Sequence, residues 1–249
     1  MPDTFELPLG SIRNGQVHRE VSLTPMTAGI RRLVSSRKSQ KDMSKGMTEM
    51  LGQCCSDLGG VPPTPQLIGN LTTGDRDFML MKIRAISLGN VVATQMTCPK
   101  CQETITFDLD INAFKVRTLT ADKDYRIEGD YPIVSLKSEA LGVEADLRLP
   151  VGHDQAAIIQ SVMKDPSLAS YELYARLIKS WSQNGVPVEA PNSLKFIDAL
   201  PLRVFTWLES SFREKQPGPD WFVNVTCEIC GKKSPIDMSE SDFLFVTPR

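Results

Sequence analysis

Two stretches set the fold of this chain: VVATQMTCPKCQETITFDLDI over residues 91–111 and DWFVNVTCEICGKKSPIDM over residues 220–238. Each begins as an alternating strand, reaches a Thr, turns through Cys-x-x-Cys and leaves as a second strand-like run. A Cys-x-x-Cys turn aims two thiolates at one point, and two such turns supply the four soft ligands of a tetrahedral zinc site. Cys98, Cys101, Cys227 and Cys230 are therefore the candidate Zn2+ ligands. The rival readings are a redox dithiol or a pair of disulfides. A redox Cys-x-x-Cys usually opens a helix in a βαβ setting, and neither pair does so. Four cysteines fill all four positions, so the expected site is structural. Binding would also tie two distant chain segments together.

Outward from the cysteines, the chain reads as α+β. Residues 91–111 and 221–249 are expected to form a discontinuous four-cysteine zinc ribbon with a C-terminal tail. Residues 1–90 precede it as a hairpin plus helices, and 112–220 form a mixed helical and strand insertion.

In the first part, Asn14-Gly15 signals a type I′ hairpin turn. Val17, Arg19, Val21 and Leu23 alternate with His18, Glu20 and Ser22 on the returning strand. Thr27 suits the N-cap of a helix reaching Val34. Residues 31–45 are basic, through Arg31, Arg32, Arg37, Lys38, Lys41 and Lys45. They read as a solvated connection, with a docking patch for an acidic partner as the sharper alternative.

Met43, Met47, Met50, Leu51, Cys54, Cys55 and Leu58 fall on one helical face, which predicts a helix over 43–58. Its cysteines then act as small buried hydrophobes without metal. Gly59-Gly60 ends the helix, and Pro62, Pro63 and Pro65 predict extended chain. Thr73 is the expected cap of an apolar helix over 75–88, with Asp75 and Asp77 complementing its dipole and Gly89 closing it.

Within the insertion, YRIE, IVSL and VEADLRL read as short strands. Helices are expected over about 153–164, from Asp165 as cap to about Gln183, and around Pro201, which splits a helix or starts a new one. Phe205, Leu208 and Phe212 share one face of that last segment.

The charge balance, 28 basic against 30 acidic residues, argues against bulk attraction to nucleic acid or anionic lipid. Six cysteines and no leader pattern suit a reducing cytoplasm. No apolar run approaches the roughly 18 residues of a membrane helix. No glycine-rich phosphate loop, G-x-G-x-x-G or G-x-S-x-G is present. His18 and His153 read as surface or capping residues, and Trp181, Trp207 and Trp221 as core or interface residues.

The block GDRDFMLMKIRAISLGNVVATQMTCPKCQETITFDLDI, residues 74–111, resembles the middle of the baseplate hub assembly chaperone family of T-even-like contractile-tail phages. LPLGSIRNGQVHREVSLTPMT (7–27), LRLPVGHDQ (147–155) and CEICGKKSPIDMSESDFLF (227–245) resemble other parts of it. Residues 112–140 and 185–220 carry no such likeness. Gln102, where a knuckle Gly is common, and the basic 31–45 segment depart from the family pattern.

The resemblance implies a non-enzymatic protein that helps build, or remains in, the baseplate hub of a contractile tail. Its implied partners are baseplate or hub proteins, with no small-molecule substrate. It would be found in the host cytoplasm during assembly or, as a component that stays in the particle, in the tail baseplate of the virion. The four cysteines carry over as zinc ligands, and no catalytic residue carries over. The alternative is a zinc-ribbon nucleic-acid-binding module; an enzyme with a structural zinc is the weakest reading.

Overall fold

The structure is a computed structural model, and it describes residues 2–34 and 43–238. Expectations for Arg37, Lys38 and Lys41, and for the tail Phe243, Leu244 and Phe245, lie outside the described residues. Helix and strand take nearly equal shares, 36 and 35 %, so the fold is α+β.

Asn14 and Gly15 have φ of 52° and 72°, the left-handed pair that a tight I′ turn requires. They join β1 (Asp3–Arg13) to β2 (Gln16–Leu23), with Arg13 opposite Gln16. Thr27 accepts from the Ile30 amide and starts α1 (Ala28–Val34). Then α2 (Met43–Cys54) ends sooner than its apolar stripe suggests. Cys55–Leu58 is β3, paired to β2 through Val21–Leu58 and Leu23–Cys55. The free edge of β2 offered hydrogen bonds, and Cys55 and Leu58 point inward in either conformation. Both cysteines are buried, at 0 and 6 % exposure, as the stripe predicts.

Pro65 starts a helix instead of prolonging extended chain. In α3 (Pro65–Asn70) it occupies the first turn, where a missing N–H costs nothing, and Thr64 caps it. The cap of α4 (Thr73–Leu88) is Thr72, one residue earlier than expected.

Hairpin β4 (Val91–Thr97) and β5 (Thr104–Asp110) follows, and β6 (Val116–Arg117) leads away from it. Three strands come next: β7 (Arg126–Glu128), β8 (Tyr131–Ser138) and β9 (Val143–Arg148). After α5 (Gly152–Lys164), Asp165 closes that helix, and its carboxylate caps a 3₁₀ turn through the Ser167 amide.

The next helix, α6 (Ala169–Leu177), also stops short of its expected end, because Ile178–Gln183 is β10. That segment pairs with β9 and buries Ile178 and Trp181, a tertiary pairing that overrides the helical reading. After β11 (Val186–Pro187) and α7 (Leu194–Asp198), Pro201 caps α8 (Leu202–Arg213), which buries Phe205, Leu208 and Phe212. Finally β12 (Gly218–Pro219), β13 (Phe222–Thr226) and β14 (Lys233–Asp237) complete the described chain.

The sheets are antiparallel: β1-β2-β3, the meander β11-β10-β9-β8-β7, and three two-stranded pairs, β4-β5, β13-β14 and β6-β12. Among the described residues two large apolar cores result, beside a small cluster around the paired cysteines. One joins β2, α2, β3 and α4 with Val92, Leu109, Ile111, Phe114 and Met238. The other joins the meander to α6 and α8, and includes Leu9 and Ile12 of β1. Strand β1 thus serves both, with Leu7 in the first core.

A buried polar joint explains how β1 does this. Its pairing with β2 is irregular between Glu6 and Ser11, where Gly10 takes a φ of 107°. The Leu9 amide donates to Asp75 Oδ1 (2.8 Å), and the Gly10 amide reaches both carboxylate oxygens at 3.2 Å. The Thr72 hydroxyl donates to Asp75 Oδ2 (2.7 Å) and accepts from the Asp75 amide (3.1 Å). The bulge frees amides that the ladder would otherwise occupy, and one carboxylate satisfies them. Helix-start electrostatics alone does not account for Asp75.

Candidate metal centre

The two hairpins present twin turns. In β4–β5 the strands pair from Val91–Asp110 to Thr97–Thr104, and in β13–β14 from Phe222–Asp237 to Thr226–Lys233. Beyond the last pair of each, the first cysteine closes the turn in both directions. The Cys98 amide donates to Glu103 O (2.9 Å), and the Gln102 amide to Cys98 O (2.9 Å). In the second turn, the Cys227 amide donates to Lys232 O (2.9 Å), and the Gly231 amide to Cys227 O (2.8 Å).

Contacts beyond the cysteines also bring these turns together. The chain leaves at β6 and returns at β12, and the two pair through Arg117–Gly218 and Val116–Pro219. The Asp220 amide donates to Lys115 O (2.7 Å), and the Phe114 and Trp221 rings meet edge-on at 5.1 Å. Gly74 in the first turn of α4 underlies this crossing, because a Cβ there would sit 2.0 Å from Pro217 O. The Trp221 side chain hydrogen-bonds the Asp77 carboxylate one turn further along. Burial still pushes Asp77 up to about 6, against that hydrogen bond and the Arg76 charge.

All four sequence-predicted ligands converge. The sulfurs of Cys98, Cys101, Cys227 and Cys230 lie within 4.8 Å of one another. Two pairs cross between turns: Cys98 Sγ to Cys230 Sγ and Cys101 Sγ to Cys227 Sγ, both 3.7 Å. That is far beyond a disulfide bond of about 2.05 Å. It matches the edge of a tetrahedron with metal–sulfur bonds of about 2.3 Å, which is about 3.8 Å. The donor set therefore fits a single thiophilic ion, and no ligand position would remain open.

The backbone prepares the site for charge. Amides of Cys101 and Lys100 hydrogen-bond Cys98 and hold its thiol well below the usual range. Cys101 receives the Glu103 amide, yet burial and the sulfurs of Cys98, Cys227 and Cys230 push it upward. Four thiolates this close cannot all ionise alone, and a divalent cation removes that conflict. Ile105 is buried beside the sulfurs, with Met96 and Val225 packed around them.

Neither histidine belongs to this cluster. His18 lies on β2 with its Cβ against Gly59, and exposed His153 rests on Gly69. The sequence reading missed the supporting residues. Arg76 is 1 % exposed and ties α4 to α2 and α3 by donating to Thr48 Oγ1 and Ile68 O, both 3.1 Å. Its pKa falls to about 10 through burial. The signal for these roles was GDRD itself: three charges in a row opening an otherwise apolar helix.

The family described as T4 bacteriophage base plate protein matches residues 4–245. The chain belongs to that family. The resemblance drawn from residues 74–111 is thereby confirmed at the level of a phage baseplate protein. No curated protein and no solved structure matches this baseplate protein. No helix among its described residues is long and apolar enough to cross a membrane.

Proposed function

We propose that this baseplate protein is a non-enzymatic structural or assembly component of the baseplate hub of a contractile tail, held in shape by one zinc ion. The family match over residues 4–245 carries the baseplate part of this reading. The hub assignment rests on the sequence resemblance. The zinc assignment rests on four convergent sulfurs, whose chemistry and spacing suit that ion.

In this reading Cys98, Cys101, Cys227 and Cys230 complete a discontinuous ribbon. The metal acts on shape, since it supplies no open position for a substrate. It closes a chain of more than a hundred residues at the base of the 112–220 insertion. Partners are other baseplate proteins, met in the host cytoplasm during assembly and retained in the tail of the virion. The balanced charge, net −2, gives the nucleic-acid alternative little support.

Co-expression with the other baseplate proteins of the same tail, followed by pull-down, tests the reading. Retention of at least one hub component is expected. Retention of a specific DNA or RNA, with no baseplate protein, would replace the reading with the nucleic-acid one.

A further inference from the structure

Where the chain crosses between its two cores, the structure leaves a cavity of about 600 Å³. Its walls come from the first turn of α4, from α6, from the end of α8 and from residues 217–222. It is therefore built from both cores, at the place where their relative position is fixed.

The lining is electrostatically unbalanced. Asp77, Glu209, Glu214 and Asp220 contribute carboxylates, against the guanidinium groups of Arg117 and Arg213. Arg117 is committed to backbone, because its Nη1 donates to the carbonyl oxygens of Arg213 (3.2 Å) and Glu214. Among the described residues, none of the four carboxylates forms an ion pair. Burial already holds the Asp77 carboxyl high, so a cation entering the cavity would relieve it.

The apolar part of the lining has a matching character. Trp221 is half-buried, and Phe222 at the rim is 49 % exposed, a large aromatic surface left to solvent. Asp77 accepts from the Trp221 side chain and Asp220 from the Phe222 amide (3.3 Å), and aromatic faces beside carboxylates that lack a cationic partner suit a guanidinium group, which stacks on rings and forks onto carboxylates. A lysine supplies the charge without the plane. A polyanion is repelled.

We propose that this cleft is the docking site for an extended, arginine-bearing segment of a neighbouring baseplate protein. The proposal rests on the baseplate reading above and adds to it the place and the chemistry of the contact. The arginine enters between the aromatic rim and the carboxylates of α8, and flanking residues of the segment lie along residues 217–222. An occupant there touches both cores at once.

The test uses the full-length, zinc-loaded chain carrying Phe222→p-benzoylphenylalanine, co-expressed with the baseplate proteins of its tail and irradiated. Sequencing of the cross-linked peptide is expected to give a segment of another baseplate protein with an arginine at or next to the link. Charge reversal of the cleft, Glu209→Lys with Glu214→Lys, is expected to lower retention of that protein by about tenfold or more. Zinc content and thermal midpoint should be kept. The milder pair Glu214→Gln with Asp220→Asn should lower retention in the same direction, and serves if the reversal fails to fold.

A link to an acidic or uncharged segment, a link to a second copy of this chain, or no link overturns the cleft. So does unchanged retention by the folded charge variants. If the unmodified chain still retains baseplate proteins in those cases, the baseplate reading stands. If it retains none, the baseplate reading fails and the cleft fails with it.

Discussion

Gln102 and Gly231 occupy the same left-handed step of the two twin turns, with φ of 62° and 69°. Each donates its amide to the carbonyl of the first cysteine of its pair. Glycine takes this conformation freely, whereas a residue with a Cβ is strained there. The first turn therefore carries strain that the second does not. Gln102→Gly should raise the stability of the metal-loaded protein by about 1 kcal/mol. The loss of the weak Gln102 Nε2 contact to Pro99 O, 3.4 Å, offsets little of this. Gly231→Gln should lower stability by a similar amount. Thermal melts of both variants at equal zinc content check the pair, and equal midpoints would remove the strain argument.

Protein purified without added metal should carry close to one zinc per chain by elemental analysis. Cys98→Ser and Cys227→Ser should each lower that content strongly, since each removes a ligand from opposite turns. Chelation should also increase hydrogen exchange in α5, α6 and α8, because the site closes the loop that contains them. Increased exchange confined to the two turns would show that the metal organises only its own hairpins.

Asp75→Ala should destabilise by about 3 kcal/mol. It strips the acceptor from the Leu9 and Gly10 amides and from the Thr72 hydroxyl, all buried together. Asp75→Asn keeps an acceptor oxygen and should cost less. Denaturant unfolding of the two variants measures the difference. An alanine variant within about 0.5 kcal/mol of the parent would mean that water satisfies the bulge.

Asp77 predicts a pH dependence of known sign. Its carboxyl rises from 3.8 in free chain to about 6 on folding. Between those values the folded state binds more protons, so this contribution is fully present below the lower value. It is lost as pH climbs through the upper one. Relative to Asp77→Asn, the parent should gain stability on the order of 2 kcal/mol between pH 7 and pH 4. The comparison isolates Asp77 from the protonation of the metal site, which both proteins share. A difference that does not change with pH would contradict the shift.

Burial raises both Cys54 and Cys55 to about 11, so neither offers much thiolate at pH 8. In native, metal-loaded protein both should react slowly with a thiol reagent, and chelation should release four fast thiols. Six fast thiols in a folded, chelated protein would show that the buried pair opens with the metal site.

Much of this was legible in the residues. Cys-x-x-Cys after an alternating strand names its own turn, because the two ligands sit three residues apart. Asn14-Gly15 fixes a hairpin, and Thr27, Gly89 and Pro201 mark helix ends, because each acts through backbone dihedrals or amides within a few residues. What failed was the choice between helix and strand where both would bury the same side chains. Cys55–Leu58 and Ile178–Gln183 became strands because β2 and β9 offered them partners, and no local pattern reveals a partner.

The two turns and the α+β character follow from short-range geometry, so the residues alone settle them, and the same spacing marks the four candidate ligands. It took the folded chain to set Cys98 against Cys230 across 132 residues, and to make Asp75 a buried acceptor instead of a solvated helix start. Those outcomes depend on β6 meeting β12 and on α4 lying beneath the β1 bulge. Contacts of that length form only when burial of both cores outweighs the entropy of closing the loop, a balance that no local window contains.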